Sequence, residues 1–154
     1  MVNNMKNVCV LVVSHNYPEL TDSLCDGIIS RTKDVDYDLH VIETGSQIDN
    51  CSKYATMWIS DGCRMTRGFN NLKAHADRLL KYKSNQKYDA YMLFVNDAKF
   101  INDEDIISIL YDEMKSLPDC GQIHPYQSNI YPLHTRLGKL TQNSTRKESF
   151  SEII

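Results

Sequence analysis

Short apolar runs alternate along the chain with longer stretches in which apolar residues recur every three or four positions. Residues 8–13 form an unbroken apolar and mostly β-branched run, which predicts a buried strand. Pro18 follows, and proline is favoured in the first turn of a helix. Apolar residues then recur on one helical face, which predicts a helix that ends at about Ser30.

The same alternation continues through residue 115. It predicts strands at residues 39–42, 57–59 and 90–95, a helix opened by Gly68, and a last helix that is capped by Asn102 and runs through Lys115. Residues 91–95 are so uniformly apolar that we expect this strand to be buried on both faces. Strands that alternate with helices predict an α/β fold, with a mostly parallel central sheet and helices on both of its faces.

Length and composition indicate how the chain is divided. It has 154 residues, of which 42% are hydrophobic and 24% charged, and this is typical of a single soluble globular domain. Residues 141–154 differ, because they are polar and lack apolar periodicity. We therefore expect one domain over residues 1–140 and a polar C-terminal tail over residues 141–154.

Charge and cysteine content restrict the partners and the compartment. The net charge of −3 argues against a nucleic-acid partner, since proteins of that class usually carry a basic face. No apolar run reaches the roughly 20 residues that span a bilayer, and residues 1–7 lack the apolar segment of a signal peptide. The five cysteines include no Cys-x-x-Cys pair, which favours a reducing compartment without disulfides or structural zinc. We therefore expect a cytoplasmic protein.

Polar side chains form four clusters where predicted strands end or a helix begins. The clusters are Ser14 to Asn16 after the first strand, Glu43 to Ser46 after the second, Arg64 to Asn71 before the second helix, and Asn96 with Asp97 after the fourth strand. The carboxyl ends of parallel strands meet at one edge of a sheet, where ligands bind. Carboxylates, arginines, amides and a helix N-terminus at this edge suit a ribose and a diphosphate.

Each cluster also has a simpler interpretation. Residues 43–46 have the composition of a turn, Asn70 and Asn71 that of a helix start, and Asp97 that of a turn residue. His15 by itself is expected to be a hydrogen-bonded residue rather than a catalyst. The occurrence of all four clusters at strand ends is what favours a ligand site.

At these residues the chain resembles family 2 glycosyltransferases of the GT-A fold. His15-Asn16-Tyr17-Pro18-Glu19-Leu20 is similar to the Tyr-Asn-Arg-like step after that family's first strand, and Glu43-Thr44-Gly45-Ser46 to its Asp-Asn-Gly-Ser motif. Gly68-Phe69-Asn70-Asn71 is similar to the family's glycine and asparagine at a helix start, and Asn96-Asp97 to its Asp-x-Asp-like metal motif. The motifs occur in the family's order, and the resemblance covers residues 7–126.

The resemblance implies a three-layer, Rossmann-like nucleotide-diphospho-sugar transferase fold and metal-assisted transfer of a sugar to an unknown acceptor hydroxyl. Asp97 would hold Mn²⁺ or Mg²⁺ against the donor's diphosphate, and the ion would stabilise the leaving nucleotide as a Lewis acid. Glu43 would contact the base or the ribose. The implied nucleotide-sugar site comprises Ser14, Asn16, Glu43, Gly45, Ser46, Arg67, Gly68, Asn70, Asn71 and Asn96.

The chain departs from the family in ways that leave two further interpretations open. Glu43 stands where the family has aspartate, and Asn96 where it has an acid, so Asp97 is the one carboxylate of the metal motif. The family's acceptor-binding half supplies a general base, whereas Glu148 and Glu152 are the only acids after Asp119. Besides a glycosyltransferase, the sequence therefore allows a non-catalytic module that binds a nucleotide sugar or a glycan, and an unrelated flavodoxin-like binding domain.

Overall fold

The computed structural model describes residues 8–63, 65–100, 102–117 and 119–122. A short 3-10 helix at Ile48–Asn50 accompanies seven regular elements within these residues. In chain order they are β1 (Val8–Ser14), α1 (Pro18–Arg31), β2 (Tyr37–Thr44), β3 (Ala55–Ile59), α2 (Met65–Ser84), β4 (Ala90–Val95) and α3 (Ile106–Ser116). The tail predicted at residues 141–154 lies outside the described residues.

The four strands form one parallel sheet with the order β3-β2-β1-β4. β1 lies between β2 and β4, and all seven of its residues are buried. Each strand is connected to the next along the chain by a crossover, as parallel pairing requires. The predicted α/β class with a parallel central sheet is therefore confirmed for the described chain, and this arrangement is compatible with a Rossmann-like fold.

Helices α1 and α2 cover opposite faces of this sheet. Successive side chains of a strand point to opposite faces. The hydroxyl of Ser14 bonds to that of Thr21 on α1 at 2.7 Å, so the even-numbered side chains of β1 face α1. The odd-numbered ones, Cys9, Leu11 and Val13, form a core with Ile42 on β2 and with apolar residues of α2. Three layers result, with the strand core excluded from water on both sides.

The chain divides into two compact units, and the boundary between Ile107 and Ser108 falls inside α3. The sheet, α1 and α2 belong to the first unit, as do all residues of the candidate site. In the second unit the structure describes the rest of α3 and a short segment after it. No helix among the described residues is long and apolar enough to cross a bilayer.

Three expectations about the elements are wrong. β4 is not buried on both faces: Leu93 is 55% exposed and lies outside the core that α2 forms with β1 and β2. α2 begins at Met65 rather than at Gly68, so most of the predicted loop before it is helical. Asn102 does not cap α3, which begins at Ile106; its side chain instead accepts a hydrogen bond from the Glu104 N–H at 3.4 Å in a local turn.

Candidate functional site

A cavity of about 510 Å³ opens between the carboxyl ends of β1 and β4. After β1 the chain crosses to β2 on one side of β1, and it later returns to form β4 on the other side. The crevice therefore lies where the strand order reverses. Ligands of open α/β proteins bind at such points. The residues that line the cavity are Val13, Ser14, His15, Thr44, Gly62, Cys63, Met65, Val95, Asn96 and Asp97.

Hydrogen bonds join the loop after β1 to the end of β2. The Nδ1 atom of His15 lies 2.5 Å from the carbonyl oxygen of Thr44, and the Thr44 hydroxyl donates to the carbonyl of Ser14 at 3.2 Å. A carbonyl oxygen only accepts, so Nδ1 of His15 carries the proton. The Nε2 atom of His15 can then accept a hydrogen bond, and the side-chain nitrogen of Asn16 lies 3.4 Å from it. His15 is hydrogen-bonded, as expected, and it also lines the cavity.

Asn16 ties the same loop to the turn that follows β2. Its backbone φ of 54° lies in the left-handed region, which asparagine adopts more readily than most residues. The Asn16 N–H donates to the Ser46 hydroxyl at 3.0 Å, and its side-chain oxygen accepts from the Gln47 N–H at 2.9 Å. Asn16 therefore uses its polar groups to position the turn, and it does not line the cavity.

The Glu43 carboxylate is fully buried and is occupied on both oxygens. Oε2 accepts a hydrogen bond from the Ser46 hydroxyl at 2.5 Å, and Oε1 accepts from the Ser52 N–H at 2.9 Å. Charge-assisted bonds of this kind are about twice as strong as neutral ones. Glu43 thus anchors the segment after β2. Its contact with a base or a ribose stays a prediction.

The segment anchored by Glu43 is also held to α1. Asp22 accepts hydrogen bonds from the Ser52 hydroxyl at 2.5 Å and from the Lys53 N–H at 3.1 Å. Asp26 accepts from the Tyr54 hydroxyl and from the Lys53 ammonium, and these bonds lower the pKa of Asp26, the Tyr54 bond most. The loop between β2 and β3 is consequently fixed from two sides.

Gly45 brings the ends of β2 and β3 together. Its φ is +67°, and an added Cβ would lie 2.6 Å from the backbone nitrogen of Gly62. The Gly45 N–H donates to the carbonyl of Ile59 at 2.8 Å. Only glycine fits this close approach, and it places Gly62 and Cys63 at the wall of the cavity. In the structure Gly45 thus allows close packing of the backbone, and its predicted contact with a nucleotide sugar stays a prediction.

Two of the predicted residues on α2 face a second, smaller cavity. This cavity has a volume of about 340 Å³ and is lined by Trp58, Ile59, Ser60, Asp61, Arg67 and Asn71. The Trp58 indole N–H donates to the carbonyl of Ser46 at 2.9 Å and so fixes the ring at its edge. Gly68 packs against Val13, with a virtual Cβ at 3.1 Å from its Cγ2 atom, and Asn70 is exposed and lines neither cavity.

Asn96 and Asp97 lie in the turn after β4, where the Ala98 N–H donates to the Val95 carbonyl at 3.0 Å. Both line the main cavity, and Asp97 is exposed. Within the described chain no three His, Cys, Asp or Glu side chains form a metal-binding group. Mg²⁺ is often held by one or two carboxylates together with substrate phosphates and water. The Asp97 carboxylate and the Asn96 amide fit such a shared site, and they do not fit a site made of protein ligands alone.

The four clusters thus converge only in part. Ser14, Asn96 and Asp97 line the main cavity, and Arg67 and Asn71 line the smaller one. The sequence analysis missed the cavity-lining residues in the last part of β3 and in the loop after it. They are Trp58, Ile59, Ser60, Asp61, Gly62 and Cys63. The sequence signal that points to most of them is their position at the carboxyl end of the third strand.

Compared with known proteins, the chain matches no protein-family model, no curated protein and no solved structure.

Proposed function

We propose that this protein is a glycosyltransferase of the GT-A type, which binds a nucleoside diphosphate sugar at the crevice between β1 and β4. The observation that carries the proposal is the cavity itself, which lies at the reversal of strand order and is lined by Ser14, His15, Asn96 and Asp97. Its volume of about 510 Å³ is in the range of pockets that hold small ligands and cofactors. The order of the four sequence motifs supports the same assignment.

In this proposal Asp97 holds Mn²⁺ or Mg²⁺ together with the diphosphate of the donor. The bound ion supplies Lewis-acid stabilisation of the leaving nucleotide. Asn96 offers an amide to the ribose, and Arg67 at the smaller cavity offers a cation to the base or the phosphates. The fixed loops after β1 and β2 keep these groups in place before the ligand arrives, which reduces the free energy lost on binding.

A second candidate function is a module that binds a nucleotide sugar or a glycan without catalysis. One observation favours it: among the described residues, Asp97 is the only carboxylate that lines the main cavity, while the Glu43 carboxylate is directed into the protein. A site with one carboxylate has a low affinity for a hard cation in the absence of a phosphate ligand. A site of this kind is compatible with a module that binds a nucleotide sugar or a glycan and does not transfer the sugar.

The first experiment is a calorimetric titration with UDP, GDP, TDP and CMP, each with and without Mn²⁺. We expect one nucleotide to bind in a metal-dependent manner and Asp97→Ala to weaken this binding by about tenfold or more, since the variant removes a direct ligand of the ion. Asp49→Ala is the matched control, because Asp49 is an exposed acid of the 3-10 helix that lines neither cavity. If no nucleotide binds in the presence of Mn²⁺, the transferase and the nucleotide-sugar module are both wrong, and a module that binds a glycan alone is the candidate left.

Turnover separates the two candidates. The nucleotide that binds is supplied as its sugar conjugate, and release of the free nucleotide is followed with and without a panel of acceptor sugars. Metal-dependent release that Asp97→Ala abolishes supports the transferase. Tight binding of the conjugate without release, in the presence of every acceptor, supports the binding module instead.

A further inference from the structure

His40 on β2 is a buried histidine whose ring nitrogens lack partners. Its side chain is 9% exposed, and neither Nδ1 nor Nε2 has a hydrogen-bond partner in the part of the chain that the structure describes. Buried polar atoms are satisfied in the great majority of cases, and an exception points to strain, a functional role, or a bound water or ion. The two nitrogens of His40 therefore call for a ligand.

A second histidine lies edge-on to His40. His75 on α2 has its ring centroid 6.3 Å from that of His40, and the two ring planes are at 87°. The His75 side chain is half-buried, so part of it is in contact with solvent while the His40 ring beside it is buried. Imidazole nitrogens are ligands of Zn²⁺, Cu²⁺ and Ni²⁺, and neutral rings are the ligating form.

The protonation state of His40 suits a metal ligand, and charges of both signs lie near its ring. Burial lowers the pKa of His40, so its ring is neutral at pH 7 and has a lone pair to donate. The Asp38 carboxylate, on the same strand, opposes this shift by its negative charge, whereas His75 and Lys83 on α2 add to it. When a metal ion accepts the lone pair of His40, one of its two unpaired ring nitrogens gains a partner, and the cost of burying the ring falls.

We propose that His40 and His75 form a two-histidine site for a transition-metal ion of the Zn²⁺ class, which joins β2 to α2. Zinc–nitrogen bonds are about 2.0–2.1 Å long and structural zinc is tetrahedral, so the ring centroids would be about 5 Å apart in the bound state. The 6.3 Å separation thus needs to close by about 1 Å, which a torsion change at the half-buried His75 supplies. Water completes the coordination.

This site is separate from the crevice between β1 and β4. Neither histidine lines the two cavities described above, and His40 lies on the face of the sheet that α2 covers. An ion that bridges a strand and a helix binds the folded state only, and it therefore raises the stability of the fold. The site is a structural cross-link and does not depend on the proposed function.

The test is a titration of the full chain, with a reductant present, with Zn²⁺ as the probe and nuclear magnetic resonance of the ¹⁵N-labelled histidine rings as the readout. We expect the ring nitrogens of His40 and His75 to shift together with one dissociation constant. His75→Gln is expected to weaken Zn²⁺ binding at His40 by at least about tenfold, because even the loss of an outer-shell partner often has that effect. Calorimetry under the same conditions gives the stoichiometry.

His15→Gln is the matched control, since it removes a histidine from the main cavity and should leave the zinc affinity at His40 unchanged. The proposal is overturned if Zn²⁺ shifts neither ring, if the two rings titrate with different constants, or if His75→Gln binds Zn²⁺ as tightly as the unmodified chain. His75→Gln changes a half-buried helix position, so its fold is expected to remain intact, and circular dichroism verifies this. A variant that unfolds is replaced by His75→Asn in the same assay.

Discussion

Two ionisable side chains of β2, Glu43 and His40, are buried on opposite faces of the sheet. Both carboxyl oxygens of Glu43 are hydrogen-bonded, one to a hydroxyl and one to a backbone N–H. His40 has neither nitrogen satisfied within the described residues. Hydrogen-bond partners offset the cost of burying the Glu43 carboxyl group. His40 avoids the cost of a buried charge by losing its proton, but within the described chain it still buries two unpaired nitrogens.

The neutral state of His40 predicts how stability changes with pH. The pKa of His40 is lowered in the folded chain, mainly by burial, from its ordinary value of 6.5. Below pH 6.5 the unfolded chain therefore takes up a proton that the folded chain does not, so the free energy of unfolding falls as the pH falls towards the folded pKa. Above pH 6.5 His40 contributes no pH dependence. We expect His40→Leu to remove this part of the slope.

Urea unfolding between pH 7.5 and about 5.5, in the presence of a metal chelator, measures the effect, because carboxylates with ordinary pKa values titrate mostly below this range. His15→Gln serves as the comparison, since it also removes a histidine and leaves His40 in place. If the curves of free energy against pH for His40→Leu and for the unmodified chain are parallel, the buried ring does not control acid stability. The charged groups that surround the ring are Asp38, His75 and Lys83.

At the level of elements, the apolar pattern predicts those strands whose side chains are apolar on both faces. β1 and β4 agree with their predicted bounds to within one residue. β2 is longer than the predicted residues 39–42, because it continues through Tyr37, Asp38, Glu43 and Thr44. A polar residue ends an apolar run in the sequence, but in the fold the Tyr88 hydroxyl bonds to Asp38 and two donors satisfy Glu43. A hydropathy pattern does not reveal tertiary hydrogen bonds of this kind.

Position in the sheet also determines what a leucine contributes. Leu11 on the central strand β1 is 0% exposed, whereas Leu93 on β4 is 55% exposed, although both lie in apolar runs of similar character. We expect Leu11→Ala to lower the free energy of unfolding by about 3 kcal/mol, since it removes buried methyl groups and leaves a cavity. Leu93→Ala should lower it by less than about 1 kcal/mol.

Urea unfolding of the two alanine variants side by side measures this difference. The variants delete the same atoms, so the contrast reports burial alone. Equal losses of stability would mean that Leu93 is covered in solution as well as Leu11 is. That result would contradict the exposure of Leu93 in the structure.

Over the whole molecule, the sequence predicts that polar clusters meet at one edge of a parallel sheet, and the structure places them there. It does not predict which groups face the ligand space. Asn16, Glu43 and Ser46 were candidates for ligand contacts, but they bond to one another and to Ser52, so they fix the loops around the cavity. The difference depends on side-chain partners that are distant in sequence or lie across a turn, and composition does not encode these pairings. Of the predicted site residues, Ser14, Asn96 and Asp97 line the main cavity, and all three lie at strand ends.

This distinction leads to a prediction about how stability and binding are coupled. Glu43→Gln keeps the shape of the side chain but weakens two charge-assisted hydrogen bonds, so we expect the variant to be less stable by about 1–3 kcal/mol. Both carboxylate oxygens face the protein, so the rise in Tm caused by the nucleotide and Mn²⁺ should be retained. Asp97→Asn should behave in the opposite way, with a Tm close to that of the unmodified chain and little stabilisation by the ligand. Thermal denaturation of the three proteins, with and without nucleotide and Mn²⁺, measures both quantities in one experiment. A Glu43→Gln chain that keeps its full Tm but loses the ligand-induced rise would instead make Glu43 a direct contact of the base or the ribose.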